Sequence, residues 1–185
     1  RMMNEWGIPT IYLEALTYKF ASQLKAKGKY VPDIAMAGGF SLEDHIFKAI
    51  ALGAPFVKAV CMGRALMIPA FIGKNINKWV KEEKLPADIK KYGDVAERIF
   101  ISYEELKSKF GKDFDNLPLG AVAMYTFCDR LKQGLQQFMA GARKFSLKHV
   151  DRNDLVSLTR EASDITGIPY VMESDAEEAE RILLK

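Results

Sequence analysis

Apolar residues near the start of the chain recur at helical spacing, and the next apolar runs have the length of buried strands. The spacing of three and four residues predicts an amphipathic helix over 10–27 that buries one apolar stripe. Pro9 and Gly28 flank this helix as start and stop signals. The predicted stripe consists of Leu13, Leu16, Phe20 and Leu24.

A short, nearly uncharged run over 33–37 follows and ends in Gly38 and Gly39, which predicts a buried strand that stops at a tight turn. Ser41 is then expected to cap a helix, with Asp44 reaching back to the cap in the manner of a capping box. Gly53 is expected to end that helix. Its predicted apolar face consists of Ile46, Phe47 and Ile50.

A second strand is predicted over 56–61, and Met62-Gly63-Arg64 turns from it into a helical stretch over 65–68. The order strand, helix, strand, helix is typical of α/β folds with parallel strands. In such folds, ligands gather at the carboxyl ends of the strands. Both glycine turns follow such ends.

The pattern becomes mostly helical after Gly73. The polar segment 74–91 predicts an exposed helix and a loop. Cap and stop residues predict four further helices. The first runs from a capping box at Ser102 and Glu105 to Gly111, and the last begins at about Asp175. A helix over 151–166 has Asp154 in its cap and Gly167 at its end. The longest runs from Pro118 to about Ala142, with a core-facing stripe of Leu119, Val122, Thr126, Leu131, Leu135 and Phe138.

Composition narrows the class of protein. The chain has 185 residues, of which 49% are hydrophobic, so we expect a packed core. A formal net charge of +3 without a basic cluster does not indicate nucleic-acid binding. The longest uncharged run, 116–128, is too short to span a bilayer. A start at Arg1 suggests a piece of a longer protein.

The two cysteines do not form a metal or redox motif. Cys61 and Cys128 are 67 positions apart, which excludes a CxxC pair. A lone disulfide between them is the less favoured alternative, because such spacing fits a reduced protein better than a secreted one. We therefore expect a cytoplasmic protein, and the sequence predicts no metal site.

The two glycine turns are the main chemical signal. Phosphate binding requires converging backbone N–H groups, and glycine lets the backbone approach closely because it has no Cβ. If the two strands are neighbours in a barrel, Gly38, Gly39 and Gly63 meet at its rim, and Arg64 supplies a formal charge. Ordinary steric use of glycine in α/β turns is the competing explanation.

Other polar residues are weaker candidates. Lys58 is a strand amine that could serve a Schiff base, but a strand lysine more often faces solvent. His45 and His149 have no Cys or Ser partner in the sequence pattern, and Glu43-Asp44 is explained by the helix dipole. No catalytic residue is assigned.

Longer motifs carry a family resemblance. The run DIAMAGGFSLEDHIFKAIALGAPFVKAVCMGRALM resembles the FMN-binding barrel of the glutamate synthase family, and more closely its stand-alone glutamate-synthase-domain relatives. LKQGLQQFMAGARKFSL and DLVSLTREASDITGIPYV resemble the helical tail that follows the barrel in those relatives. The resemblance covers most of the chain.

The resemblance implies FMN at the top of a TIM-type (β/α)8 barrel, with its phosphate on the backbone of Gly38, Gly39 and Gly63 and with Arg64 beside it. It implies an oxidoreductase acting on CH–NH2 donors in glutamate biosynthesis and nitrogen metabolism, in which reduced flavin delivers a hydride to 2-iminoglutarate formed from 2-oxoglutarate and ammonia or glutamine nitrogen. Many flavin barrels carry an acidic residue where Ala37 stands, and the iron–sulfur cysteines of the large glutamate synthases have no counterpart here.

The expected organisation is the C-terminal part of an FMN-binding barrel over 1–73 and a helical extension over 74–185. This chain shows only two of eight βα units, so we do not expect it to be catalytic alone. Its exposed strand edges predict a homo-oligomer, through a second copy of the chain, or a missing barrel segment as partner. We expect a small-molecule substrate and neither nucleic acid nor membrane as partners.

Two other functions stay open. A non-catalytic assembly or regulatory module would keep the barrel fold without its chemistry, as Ala37 and the missing cysteines suggest. A phosphate-binding barrel lyase or isomerase without flavin would also use the two glycine turns.

Overall fold

The structure is a computed structural model that describes residues 7–184. Its helices and strands, in chain order, are α1 (Thr10–Ala26), β1 (Ile34–Ala37), α2 (Glu43–Gly53), β2 (Val57–Cys61), α3 (Arg64–Lys81), α4 (Ala87–Lys90), α5 (Ala96–Ile99), α6 (Tyr103–Phe110), α7 (Leu119–Gly141), α8 (Arg160–Thr166) and α9 (Ala176–Leu183).

The chain divides into two compact units. The described parts of Arg1–Cys61 and Leu135–Lys185 form the first, and Met62–Gly134 forms the second. The predicted domain boundary after Gly73 lies inside α3 and coincides with neither limit of these units.

The first unit contains a parallel pair of strands joined by a helix, as the sequence predicts. β1 and β2 are hydrogen-bonded neighbours, and Ala37 is in register with Cys61. The helix between them, α2, buries Phe47 and Ile50 and ends at Gly53, so this part of the prediction is confirmed. One buried core joins both strands and α2 to the later part of the chain. It contains Met36 of β1, Val57 of β2 and Val150 of the tail.

The α/β assignment is therefore supported by one strand–helix–strand unit. The described residues contain two strands in one two-stranded sheet, and a barrel is not seen among them. A closed barrel of this type needs eight strands. The barrel remains part of the functional proposal below.

Helix α1 has nearly the predicted length, but its buried face differs from the predicted one. The stripe residues Leu13, Leu16, Phe20 and Leu24 are all exposed, by 40 to 56%. The buried residues of α1 are Glu14, Ala15 and Ala21. Large apolar residues occur around much of this helix, so their spacing does not identify the packed side. The packed side carries Ala15 and Ala21, whose small side chains let the backbone of α1 approach its neighbours closely.

Three caps differ from the prediction. Ser102 is the N-cap residue of α6, but its side chain makes no capping hydrogen bond, so the predicted box with Glu105 is wrong. α2 begins at Glu43 after Leu42, and no side chain caps it, so the predicted Ser41 cap is wrong. The Ser41 backbone N–H instead donates to His45 Nδ1 at 3.3 Å. The helix predicted over 151–166 is also interrupted. Asp151 and Asp154 form a real capping box, but it opens only a 3-10 turn over 152–154.

The tail of the first unit continues after that turn. Ser157 forms a parallel bridge with Tyr170, and between them α8 starts at the cap Thr159 and ends at Gly167, whose φ is +67°. The left-handed conformation explains glycine at this position. α9 follows Asp175, as predicted.

The second unit is helical. Its core contains Ile76 of α3, Val122 of α7 and four further buried residues, Phe100, Leu106, Phe114 and Ala123. α3 extends from Arg64 to Lys81, far beyond the predicted stretch over 65–68. Gly73 lies inside this helix, at a close crossing where an added Cβ would be 2.6 Å from the carbonyl oxygen of Leu119.

The predicted long helix after Pro118 is confirmed by α7, which lies partly in each unit. Val122 and Leu131 of its stripe are buried, as predicted, whereas Phe138 is 43% exposed. Phe138 stacks on Phe47 with ring centroids 5.6 Å apart. None of the helices within residues 7–184 combines the length and the apolar character that crossing a membrane requires.

Candidate functional site

The first glycine turn follows β1 directly. Gly38 has φ +139° and Gly39 has φ +77°, conformations that residues with a Cβ rarely adopt. The Thr10 hydroxyl donates to the Gly38 carbonyl oxygen at 2.8 Å, and a Cβ on Gly38 would lie 2.4 Å from that hydroxyl oxygen. Packing against Thr10 therefore explains Gly38. A Cβ on Gly39 would meet no atom within 4 Å, so the backbone there is open.

The helix after this turn begins with two acidic residues. Glu43 and Asp44 occupy the first turn of α2, where they complement the positive end of the helix dipole. A hydrogen bond from Lys48, at 2.8 Å, holds the pKa of Asp44 below its ordinary value, so its carboxylate stays ionised. Two carboxyl groups at this helix start disfavour a phosphate there, so the first turn is the weaker half of the predicted site.

The second glycine turn opens the second unit. Gly63 is the N-cap of α3, with a negative φ of −103°. An added Cβ on Gly63 would have no atom within 4 Å. The first turn of α3 carries no acidic residue, and Arg64 is its first residue. This helix start has the open backbone and the positive dipole end that anions favour.

The strands that precede the turns are neighbours. Ala37 and Cys61 are in register at the ends of the two parallel strands, and each stands just before one of the turns in the sequence. Gly38 and Gly39 belong to the first unit, and Gly63 and Arg64 to the second.

A cavity of about 570 Å³ borders the first turn within the first unit. Its walls come from α1, α2 and the tail segment 155–168, and most of them are apolar. His45 lines it, and because its Nδ1 accepts from the Ser41 N–H, the neutral ring carries its proton on Nε2. The predicted site residues Gly38 and Gly39 thus adjoin the histidine that the sequence leaves without a partner.

A buried carboxyl group that the sequence analysis misses lies at this cavity. Glu14 of α1 is only 2% exposed, and its Oε1 has no hydrogen-bond partner. Burial raises the pKa of Glu14 to about 7, and the charge of Arg152 opposes that rise. Oε1 lies against Gly53, where an added Cβ would be 2.9 Å from it. In the sequence, Gly53 is the one residue that indicates this close approach of the Glu14 carboxyl to α2.

The remaining candidates are Lys58, His149 and the two cysteines. Lys58 and His149 line a second cavity, described below. Cys61 and Cys128 are both free thiols and exposed. Within the described part of the chain, no three His, Cys, Asp or Glu side chains are grouped so that they could hold a metal ion.

Comparison with known proteins gives no relative for this chain: no protein-family model, no curated protein and no solved structure matches it.

Proposed function

We propose that this chain is the C-terminal portion of an FMN-dependent oxidoreductase of the glutamate-synthase type. Of the four residues named from the sequence, we assign the phosphate to Gly63 and Arg64, because the acidic start of α2 after Gly38 and Gly39 disfavours an anion. The observation that carries the proposal is the start of α3, where Gly63 leaves open space, no acidic residue opposes an anion and Arg64 adds a positive charge.

The residues at this helix start fit a phosphate group. A phosphate monoester needs backbone N–H donors and a positive field, and the beginning of an 18-residue helix supplies both. Asp or Glu at either of the first two positions would cancel that field, and the sequence has Arg64 and Ala65 there. The parallel pairing of Ala37 with Cys61 supports the βα arrangement that the family resemblance implies.

When bound in the complete protein, reduced FMN would supply the hydride that converts an imino acid to glutamate. This chain's own contribution is to bind the phosphate. Gly63 leaves the backbone accessible, and the α3 dipole and Arg64 offset the phosphate charge. The reacting groups would come from the remainder of the barrel.

A non-catalytic assembly or regulatory module is the second candidate. It is favoured by the first turn, where contact with Thr10 already explains Gly38 and where Glu43 and Asp44 occupy the helix start. In that case the two βα turns would keep only their structural role.

A titration of FMN followed by flavin fluorescence tests the proposal, with this chain and the longest form of the protein that carries it. We expect saturable binding to the longer form and a loss of about tenfold or more in Gly63→Asp, because a carboxylate would face the phosphate. Gly63→Ala is the matched control, since it adds a Cβ in the same open space without charge. Saturable binding that Gly63→Asp leaves unchanged would exclude this phosphate site. Absence of binding to both forms would favour the non-catalytic module.

A further inference from the structure

Two residues that the proposed function does not use, Lys58 and His149, line one cavity in the first unit. The cavity has a volume of about 790 Å³ and lies at the beginning of β2, beside Pro55 and Val57. Lys148 and Arg152 line it as well. The cavity thus brings together basic side chains from a strand and from the tail, which lie about 90 positions apart in the sequence.

An irregularity in the sheet gives Lys58 its place. Ile34 pairs with Val57, but the next residue of β1, Ala35, pairs with Ala59. Lys58 is therefore an extra residue in β2, as in a β-bulge. Bulges redirect side chains and are frequent beside functional sites. Without the bulge, the alternation of the strand would place Lys58 on the opposite side from Val57.

The charges around the cavity are unbalanced. The side chains of Lys58, Lys148 and His149 form no hydrogen bond or ion pair with another residue in the described part of the chain. Among the residues that line the cavity, Asp151 is the one with a carboxyl group. Its carboxylate is already committed, because it accepts from the Asn153 N–H at 2.8 Å and from Lys144 Nζ at 3.2 Å. These bonds hold the pKa of Asp151 below its ordinary value.

Arg152 is held in position before any ligand arrives. Its guanidinium donates to the carbonyl oxygen of Leu52 at 2.7 Å and to that of Thr166, and it lies 3.9 Å from the centre of the Tyr18 ring. A guanidinium has five N–H donors, so these two bonds leave donors for another partner. A fixed arginine loses little side-chain entropy when it binds an anion.

We propose that this cavity binds a small molecule that carries a diphosphate group, held by Lys58, Lys148, His149 and Arg152. The two lysines and the arginine carry three permanent positive charges, so a single carboxylate would leave two of them unneutralised. A diphosphate offers several anionic oxygens for lysine and arginine donors. This site is separate from the proposed FMN phosphate site, because it lies at the beginning of β2 and not after its end.

Pyrophosphate is the probe for the test, followed by calorimetry and by amide NMR shifts of this chain. We expect saturable binding that weakens when the salt concentration rises from about 50 to about 300 mM. The double variant Lys58→Gln/Lys148→Gln should bind at least about tenfold more weakly. The matched control is Lys74→Gln/Lys81→Gln, which removes the same charge from exposed positions on α3.

The site is supported if the control double variant and Gly63→Asp both bind pyrophosphate as the unaltered chain does. Shifts should appear at Lys58 and around 147–153. The proposal is overturned if no saturable binding occurs, if both double variants lose affinity equally, or if the shifts are confined to the start of α3. The Gly63→Asp arm separates this result from the FMN proposal.

Discussion

The guanidinium of Arg152 lies over the Tyr18 ring at 3.9 Å and joins three separate parts of the first unit. Tyr18 belongs to α1, and the two carbonyl oxygens that accept from Arg152 belong to the ends of α2 and α8. Cation–π contact and two charge-assisted hydrogen bonds at a half-buried position are each stronger than at an exposed one. One side chain thus fixes the tail against the strand–helix–strand unit.

Replacement of Arg152 by lysine should destabilise the first unit. Lysine keeps the charge but cannot reproduce two directed N–H bonds and planar stacking at once. We expect the free energy of unfolding to fall by roughly 2–3 kcal/mol in urea denaturation. Arg98→Lys is the control, because Arg98 forms only an exposed pair with Asp94 at 3.2 Å and should change stability by less than about 0.5 kcal/mol. Equal effects of the two substitutions would contradict this role of Arg152.

Glu14 should make stability depend on pH in the acid to neutral range. Its pKa is raised from 4.5 to about 7 in the folded chain. Between these values the folded chain holds a proton that the unfolded chain has released, so the free energy of unfolding falls as pH rises, by roughly 3 kcal/mol in all. Above about pH 7 both states are ionised and the contribution is constant.

Glu14→Gln checks this, because an amide has no charge to desolvate. Relative to the unaltered chain, the variant should gain stability from pH 5 to pH 7 and hold that gain at pH 8. Asp44→Asn serves as control, since the pKa of Asp44 is lowered and its contribution belongs to more acid conditions. Parallel stability profiles of the Glu14 variant and the unaltered chain would rule out the buried ionisation.

The close crossing in the second unit should make Gly73 intolerant of a side chain. A Cβ there would lie 2.6 Å from the Leu119 carbonyl oxygen and 2.7 Å from the Ala123 Cβ. We expect Gly73→Ala to destabilise the unit by about 1–3 kcal/mol, although alanine is the better helix former. Gly141→Ala, at a helical glycine with nothing within 4 Å of the added Cβ, should be neutral or stabilising. Thermal unfolding of both variants distinguishes packing from helix propensity.

The exposed face of α1 should accept polar side chains. Phe20 is 56% exposed and its neighbour Ala21 is 4% exposed. Phe20→Gln should therefore change the free energy of unfolding by less than about 1 kcal/mol, whereas Ala21→Gln should cost about 2 kcal/mol or more through overpacking. A larger loss of stability in Phe20→Gln than in Ala21→Gln would show that the predicted stripe, which contains Phe20, is the packed face of α1. Binding of a hydrophobic dye should also decrease in Phe20→Gln, because an exposed aromatic ring is removed.

The comparison of sequence with structure separates local from long-range information. Local signals located both strands, the end of α2 at Gly53 and the cap of α8 at Gly167, because chain conformation alone determines them. The role of Gly73 is not visible locally, since an added Cβ there would meet the carbonyl oxygen of Leu119, 46 positions away. The burial of one side of α1 and the raised pKa of Glu14 also depend on residues that are distant in the sequence, in α2 and at Arg152.

The candidate sites show the same division. Glycine turns after two short apolar runs are visible in the sequence, and the structure places them after paired strand ends. The acidic start of α2 is visible too, and its conflict with a phosphate follows from the same first-turn position of Glu43 and Asp44 that the helix dipole explains. The cavity that joins Lys58 to His149 depends on a bulge and on the course of the tail, and no local pattern encodes either.

The discontinuity of the first unit has a consequence for the order of folding. Its two parts are separated by the whole of Met62–Gly134, and the bond from Arg152 to Leu52 spans 100 positions. The second unit is built from neighbouring helices and needs no distant segment. During synthesis the helical unit can therefore form first, while the strands and α2 wait for the residues around Arg152 to emerge. Until then the strand pair and α2 lack the residues, Val150 among them, that complete their core.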